Sequence, residues 1–246
     1  MRVTLQPAYI LHGRPYRDTS MLLEVFTAEH GRLSLVARGA RRRGRGGSSA
    51  ALLQPFAPLL VSFSGRAELK TLTAVERASG PWELPGERLY SGLYLNELLV
   101  RLLHRHDPHA RLFAAYADAL QGLQQARPAE DSLRRFEFIL LDELGYSFAP
   151  GVDAASGLPV RAGRRYRYEA GRGLVPLAVA ENVPADGYAG EDLLRIAAGE
   201  FSGPARAACK SLFREALAEQ LGGQPLRSRE FFAARPRRPV EPPGGS

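Results

Sequence analysis

Apolar positions in the first eighty residues come in short runs of strand character. Val3 to Leu11 is apolar-rich and stops at His12-Gly13-Arg14-Pro15, a turn signal. Thr19 to Thr27 is a second run, ending before Glu29-His30-Gly31. Arg32 to Arg38 alternates, with Leu33, Leu35 and Ala37 on one face and Arg32, Ser34 and Arg38 on the other; Val36 breaks the pattern. Gly39 to Ser49 reads as a loop. Pro55 to Phe63 predicts a fourth strand whose prolines imply an edge or a bulge. Ser64-Gly65-Arg66 predicts a turn, and Glu68 to Val75 a fifth strand.

After Gly80-Pro81 the spacing becomes helical. Glu87 to His104, Leu112 to Leu123 and Ser132 to Leu144 each carry a wide apolar face, and Gly145 supplies a stop. Gly151 to Asn182 is rich in Gly, Arg and Pro, with Tyr166 and Tyr168 alternating, and reads as a small irregular or hairpin insert. Helical spacing returns over Glu191 to Ala198 and from Pro204 to Leu221, before Gly222-Gly223. The fold class is therefore α+β. A five-stranded OB-fold β-barrel over 1–80 precedes an α-helical domain over 81–234, with an irregular insert at about 150–182. Residues 235–246 read as a disordered tail.

Charge sharpens this division. Residues 1–80 hold 12 Lys/Arg against 5 Asp/Glu, a surplus equal to the formal net charge of +7 for the whole chain. Residues 81–150 are net −3 and residues 151–246 net +3. The surplus peaks at Arg38, Arg41, Arg42, Arg43 and Arg45, on a glycine-rich loop, and no acidic residue lies between Glu29 and Glu68. Such a cluster repels itself until a polyanion neutralises it and releases counterions. Arg14, Tyr16 and Arg17 fall in the first predicted turn. Arg66 falls in the fourth, with Lys70 on the strand after it, and Arg32 begins the third strand. In an OB-fold the first and fourth loops flank the binding face. Tyr16 is placed to stack a base, although packing alone would also explain a tyrosine in a turn.

Several other chemistries find no support. No phosphate-binding G-x-x-x-x-G-K-[ST] loop, H-E-x-x-H or G-x-S-x-G occurs, so no enzyme and no cofactor is expected. His104 and His106 do not share a helix face, and Asp107-Pro108 separates them from His109, so no metal site is expected. Cys209, the single cysteine, reads as a core residue. No apolar run approaches the roughly 20 residues of a membrane span, and a cytoplasmic location is expected. Nucleic acid is the expected partner, with RNA as the alternative to DNA.

Two blocks carry a resemblance. One runs from Tyr9-Ile10-Leu11-His12 through Arg14-Pro15-Tyr16-Arg17-Asp18-Thr19-Ser20 and Val25 to Arg32, then Leu35 to Arg42. The other is Leu52-Leu53-Gln54-Pro55-Phe56 with Ser64 to Lys70. Arg135-Phe136-Glu137, Leu144-Gly145-Tyr146 and Leu226 to Phe231 add weaker matches. Together they resemble the bacterial RecO family of recombination mediators. The resemblance implies an N-terminal OB-fold, binding of single- and double-stranded DNA, and annealing of complementary strands. It also implies partnership with RecR, contact with the acidic tail of single-stranded DNA-binding protein, an indirect role in loading RecA, and work beside the nucleoid. Many relatives carry a four-cysteine zinc motif where this chain has Gly151 to Arg172; with no cysteine there, a zinc-free counterpart is expected. The acidic tail would need cations beside an apolar groove, and Arg134 and Arg135 with Phe136, Leu140 and Leu144 are the candidates.

Overall fold

The computed structural model describes residues 1–42, 49–125, 128–145, 149–178, 187–228 and 230. Strands β1 (Arg2–Tyr16), β2 (Ser20–Thr27), β3 (Gly31–Ala37), β4 (Leu59–Ser64) and β5 (Leu69–Arg77) close a barrel in the order β1-β2-β3-β5-β4. Every pairing is antiparallel except β3 with β5, where Ser34, Leu35 and Val36 face Leu69, Lys70 and Thr71. This is the OB-fold.

β1 differs from its expected length. It continues past Leu11 to Tyr16, bulging between Ile10 and His12, and the turn is Arg17-Asp18-Thr19. Beyond Ala8 the strand pairs with β2 alone, so half its backbone groups have no strand neighbour and Pro15 is tolerated opposite Met21. Pro55 and Pro58 lie ahead of β4, not in it.

β1 also explains its own lack of alternation. Ala8, Tyr9, Ile10 and Leu11 are all buried, because the strand is covered on both faces. Ala8 and Ile10 join Leu23, Val25, Leu33, Leu35, Val61 and Phe63 inside the barrel. Tyr9 and Leu11, with Phe26 and Phe56, join the core of the helical domain instead.

That domain contains α1 (Glu87–Leu102), α2 (Ala110–Gln124), α3 (Ala129–Glu143), α4 (Gly190–Ala197) and α5 (Arg206–Gln220). Tyr116 of α2 stands edge-on to Tyr9 at 5.0 Å between ring centres, and Phe113 lies 5.4 Å from Phe26. The segment between α1 and α2 also touches the barrel. His106 N–H donates to the Arg32 carbonyl at 2.9 Å. Gly31, at φ 62°, packs so closely on Asp107 that a β-carbon would lie 2.0 Å from the Asp107 carbonyl oxygen.

Of the irregular or hairpin insert expected here, part is a hairpin. β6 (Arg165–Glu169) pairs with β7 (Gly173–Pro176) and with β8 (Tyr188–Ala189), the last beyond the expected span. The alternating tyrosines turn inward: Tyr166 is buried, and the Tyr168 hydroxyl donates to Glu219 of α5 at 3.0 Å. Tyr188 likewise donates to Glu215 at 2.6 Å. Burial and its hydrogen bond to Glu219 push the Tyr168 phenol up to about 12. Cys209 is buried in α5, and burial pushes its thiol up to about 12. Among the described residues no helix is long and apolar enough to cross a membrane.

Candidate nucleic-acid interface

The β1–β2 turn, the end of β3 and the start of β5 surround a groove of roughly 750 Å³. Tyr16, Arg17, Arg38, Arg42 and Lys70 line it, with Thr19, Ser20, Val36, Gly39, Leu69 and Thr71 between them. Residues far apart in sequence meet here because β3 and β5 run parallel at this end of the barrel. Two backbone bonds fix the start of the arginine loop: Arg41 N–H donates to the Thr19 carbonyl at 2.9 Å, and Ala50 N–H donates to the Ala40 carbonyl at 3.0 Å. Ala40 is buried in the barrel core, while Arg38, Arg41 and Arg42 around it are exposed. An apolar plug thus turns its charged neighbours outward. In the first turn Arg17 adopts φ 53°, and its guanidinium lies 5.3 Å from the centre of the half-buried Tyr16 ring.

Among the described residues no carboxylate pairs with these cations. Among the described residues, Arg14, Arg17, Arg38, Arg41, Arg42 and Arg66 form no ion pair, nor does Lys70. Arg14, on β1 instead of a turn, lines an adjoining groove of roughly 290 Å³ that shares Leu69 with the first. Arg66 is exposed in the β4–β5 turn. Arg43 and Arg45 lie outside the described residues.

Arg32 does not belong to this surface. Its guanidinium pairs with Glu24 at 2.8 Å and donates twice to the Leu103 carbonyl, at 3.0 and 3.1 Å, tying β3 to the end of α1. A β3 position facing out of the barrel faces the helices here, not solvent, which strand alternation alone does not reveal.

Arg105 was not singled out by the sequence. It pairs with Glu68, and with Glu24 at 3.3 Å, so it occupies both carboxylates that line the smaller groove. The hydrogen bond and charge of Arg105 hold Glu68 below its ordinary value. The partners stand 37 and 81 positions away in sequence, too far for any local pattern to join them. Neighbouring His106 is held below its usual value by partial burial, then by the Lys70 ammonium.

Two family models match the chain, one for the N-terminal part of recombination protein O over residues 1–80 and one for its C-terminal part over 85–230. The chain is 46% identical over 235 residues to a DNA repair protein RecO of Pseudomonas paraeruginosa, covering 95% of this chain and 97% of that one. It is 46% identical to the RecO of Nitrosococcus oceani, covering 93% and 92%, and to that of Cellvibrio japonicus, covering 94% and 98%. The chain belongs to the RecO family. It is thereby a DNA repair and recombination protein.

In this RecO-family chain the residues expected to hold an acidic tail do not all meet: Arg135 and Phe136 line one cleft, of roughly 540 Å³, with Asp131 and Ile139, while Arg134 lines another. Phe136 and Leu140 are core residues, fully enclosed on the inner face of α3, and Leu144 packs half-buried beside them. Arg134 is buried and paired with Glu137, which also accepts the Tyr94 hydroxyl at 2.6 Å. Only Arg135 is exposed, with its guanidinium 5.9 Å from the Phe201 ring centre. The apolar face of α3 packs into the core through Phe136 and Leu140. A different cleft, of roughly 390 Å³ between α1, α3 and α5, combines Tyr94 and Leu133 with Arg134, Lys210 and Arg214 and with the carboxylates Glu87 and Glu130, the latter 3.7 Å from the Lys210 ammonium. The Nε of Arg134 is buried without a hydrogen-bond partner.

In the stretch where the sequence carries no cysteine, hydrogen bonds close the turn over 151–160. The Asp153 carboxylate accepts the N–H groups of Ala155 and Ser156 at 2.8 and 3.3 Å, and Val160 N–H donates to the Gly151 carbonyl at 2.9 Å.

Proposed function

We propose that this chain binds single- and double-stranded DNA through the cation-lined end of its barrel and anneals complementary strands. The observation that carries this reading is the convergence of Arg17, Arg38, Arg42 and Lys70 with Tyr16 on one groove, none of the cations ion-paired among the described residues. Annealing of this kind needs no covalent catalysis. A basic surface screens phosphate repulsion between two strands and raises their encounter rate. The family membership supports a further role: acting with RecR to help load RecA onto DNA coated with single-stranded DNA-binding protein, beside the nucleoid. For the acidic tail of that coating protein we favour the α1–α3–α5 cleft, because it sets Arg134 and Arg214 beside Leu133 and Tyr94.

The test is an annealing assay on complementary strands precoated with single-stranded DNA-binding protein. The wild type accelerates duplex formation, and Arg38→Ala with Arg42→Ala slows it. Equal rates with and without protein would refute the reading. Tighter binding to RNA than to DNA of the same sequence would replace it with an RNA-binding one.

A further inference from the structure

Strand register lays out the outer face of the barrel between the two grooves. Arg14 pairs with Leu22, Leu22 with Val36, and Val36 with Thr71, which sets these four in one row across β1, β2, β3 and β5. Leu69, paired with Ser34, stands in the next row on the same face. Leu22 lines the smaller groove, Val36 the larger, and Leu69 both. Leu22 and Val36 are half-buried. Leu69, at 40%, is the only large apolar residue left exposed among the described residues that line either groove. Cations border this patch: Arg14 ends its row, and Arg17 and Arg38 line the larger groove. All three are exposed, and among the described residues none has a carboxylate partner. The carboxylates of the smaller groove, Glu24 and Glu68, are held by Arg105. An apolar patch rimmed by unpaired cations suits a ligand that carries apolar surface and negative charge together.

We propose that Leu69, with Leu22 and Val36, receives the bases of a single strand and so lets this face distinguish a strand from a duplex. The proposal rests on the DNA-binding reading above and adds to it the form of DNA recognised. A duplex keeps its base faces stacked inside and shows only their edges in its grooves. It offers the arginines its phosphates and has no base face to lay on a leucine. A single strand offers both. Its unstacked bases bury the exposed Leu69 side chain and lose water-exposed ring area in return, while the phosphates between them reach Arg14, Arg17 and Arg38. Apolar side chains, leucine included, are used in this way against unstacked bases elsewhere in DNA recognition. The arginines then serve both forms, and Leu69 serves one.

The experiment measures dissociation constants, by fluorescence anisotropy at several salt concentrations, for one oligonucleotide and for its duplex. Wild type, Leu69→Ala, Leu69→Phe and Arg38→Ala are compared in the full chain. Leu69→Ala should weaken single-strand binding about fivefold and duplex binding less than about twofold, since only the strand loses apolar contact. Leu69→Phe provides a readout that does not depend on losing a contact. It should tighten single-strand binding about threefold by stacking and leave the duplex unchanged. Arg38→Ala should weaken both forms alike. Equal losses on both forms with Leu69→Ala, or single-strand affinity unchanged in both Leu69 variants, would overturn the proposal while leaving the DNA-binding reading intact. If strand affinity holds while Leu69→Ala abolishes binding of an oligoaspartate peptide ending in leucine, the patch serves a protein partner and the proposal also falls. A wild type that binds neither form of DNA would overturn both.

Discussion

The side-chain amide of Asn96 donates a 2.9 Å hydrogen bond to the Leu11 carbonyl, joining α1 to β1 across 85 positions of sequence. The Tyr116 hydroxyl donates to the Asn96 Oδ1 at 2.5 Å, and all three residues are buried. Each group is satisfied only while Asn96 is present. Asn96→Ala should therefore lower stability by about 3 kcal/mol, since each buried polar group left unpaired costs about 1–3 kcal/mol. Urea denaturation of the purified chain measures it. Tyr116→Phe in the same background should add less than it costs alone.

The groove arginines and Arg32 should separate cleanly. Replacing Arg38 and Arg42 with alanine should leave the melting temperature nearly unchanged. The same double change should flatten the plot of log affinity against log salt by about 0.7–0.9 for each phosphate that the variant no longer neutralises. Arg32→Ala should do the reverse. It removes the link to Glu24 and the Leu103 carbonyl, so it should lower the melting temperature and keep the slope.

Gly31→Ala should be among the most damaging small changes. It demands a positive φ of a residue with a β-carbon and drives that carbon into the backbone of Asp107. A loss of at least about 2 kcal/mol is expected, a fall of about 4–8 °C in Tm by calorimetry.

Glu97 should make stability depend on acid. Its carboxylate accepts the N–H groups of Arg227 and Ser228 at 2.9 and 2.8 Å and lies 3.9 Å from the Arg101 guanidinium. Burial pushes its pKa up, but those hydrogen bonds and Arg101 outweigh burial and leave it below the ordinary 4.5. A carboxyl with a lowered folded value contributes stability above its unfolded value and loses that contribution as pH falls through the folded one. Glu97→Gln should therefore destabilise the chain at pH 7, with the difference from wild type shrinking below about pH 4.5. Denaturation at a series of pH values tests the sign.

The barrel and the five helices were legible because their signals are local: strand-length apolar runs, helical spacing and glycine stops. The cation cluster was legible for the same reason, since Arg38, Arg41 and Arg42 are near neighbours. What escaped depends on packing between distant segments. Arg32 looks like an outward strand residue until Leu103 is known to lie against it. Phe136 and Leu140 form an apolar stripe, and nothing in a stripe says whether a helix or a ligand covers it. β1 runs through a turn-like His12-Gly13-Arg14-Pro15 because its outer edge is free there, a fact of sheet topology. The meeting of Leu69, Lys70 and Thr71 with Val36 on one groove needs the parallel pairing of β3 with β5, which no short window contains.

Tyr9, Leu11, Phe26 and Phe56 belong to the barrel by sequence and to the helices by packing. The border near residue 80 that separates the two family models is thus not a seam along which the molecule comes apart. Severed there, either half would bare an oily face to water. Heat or proteolysis that unseats the helices would disarm the groove too, although no helical residue lines it.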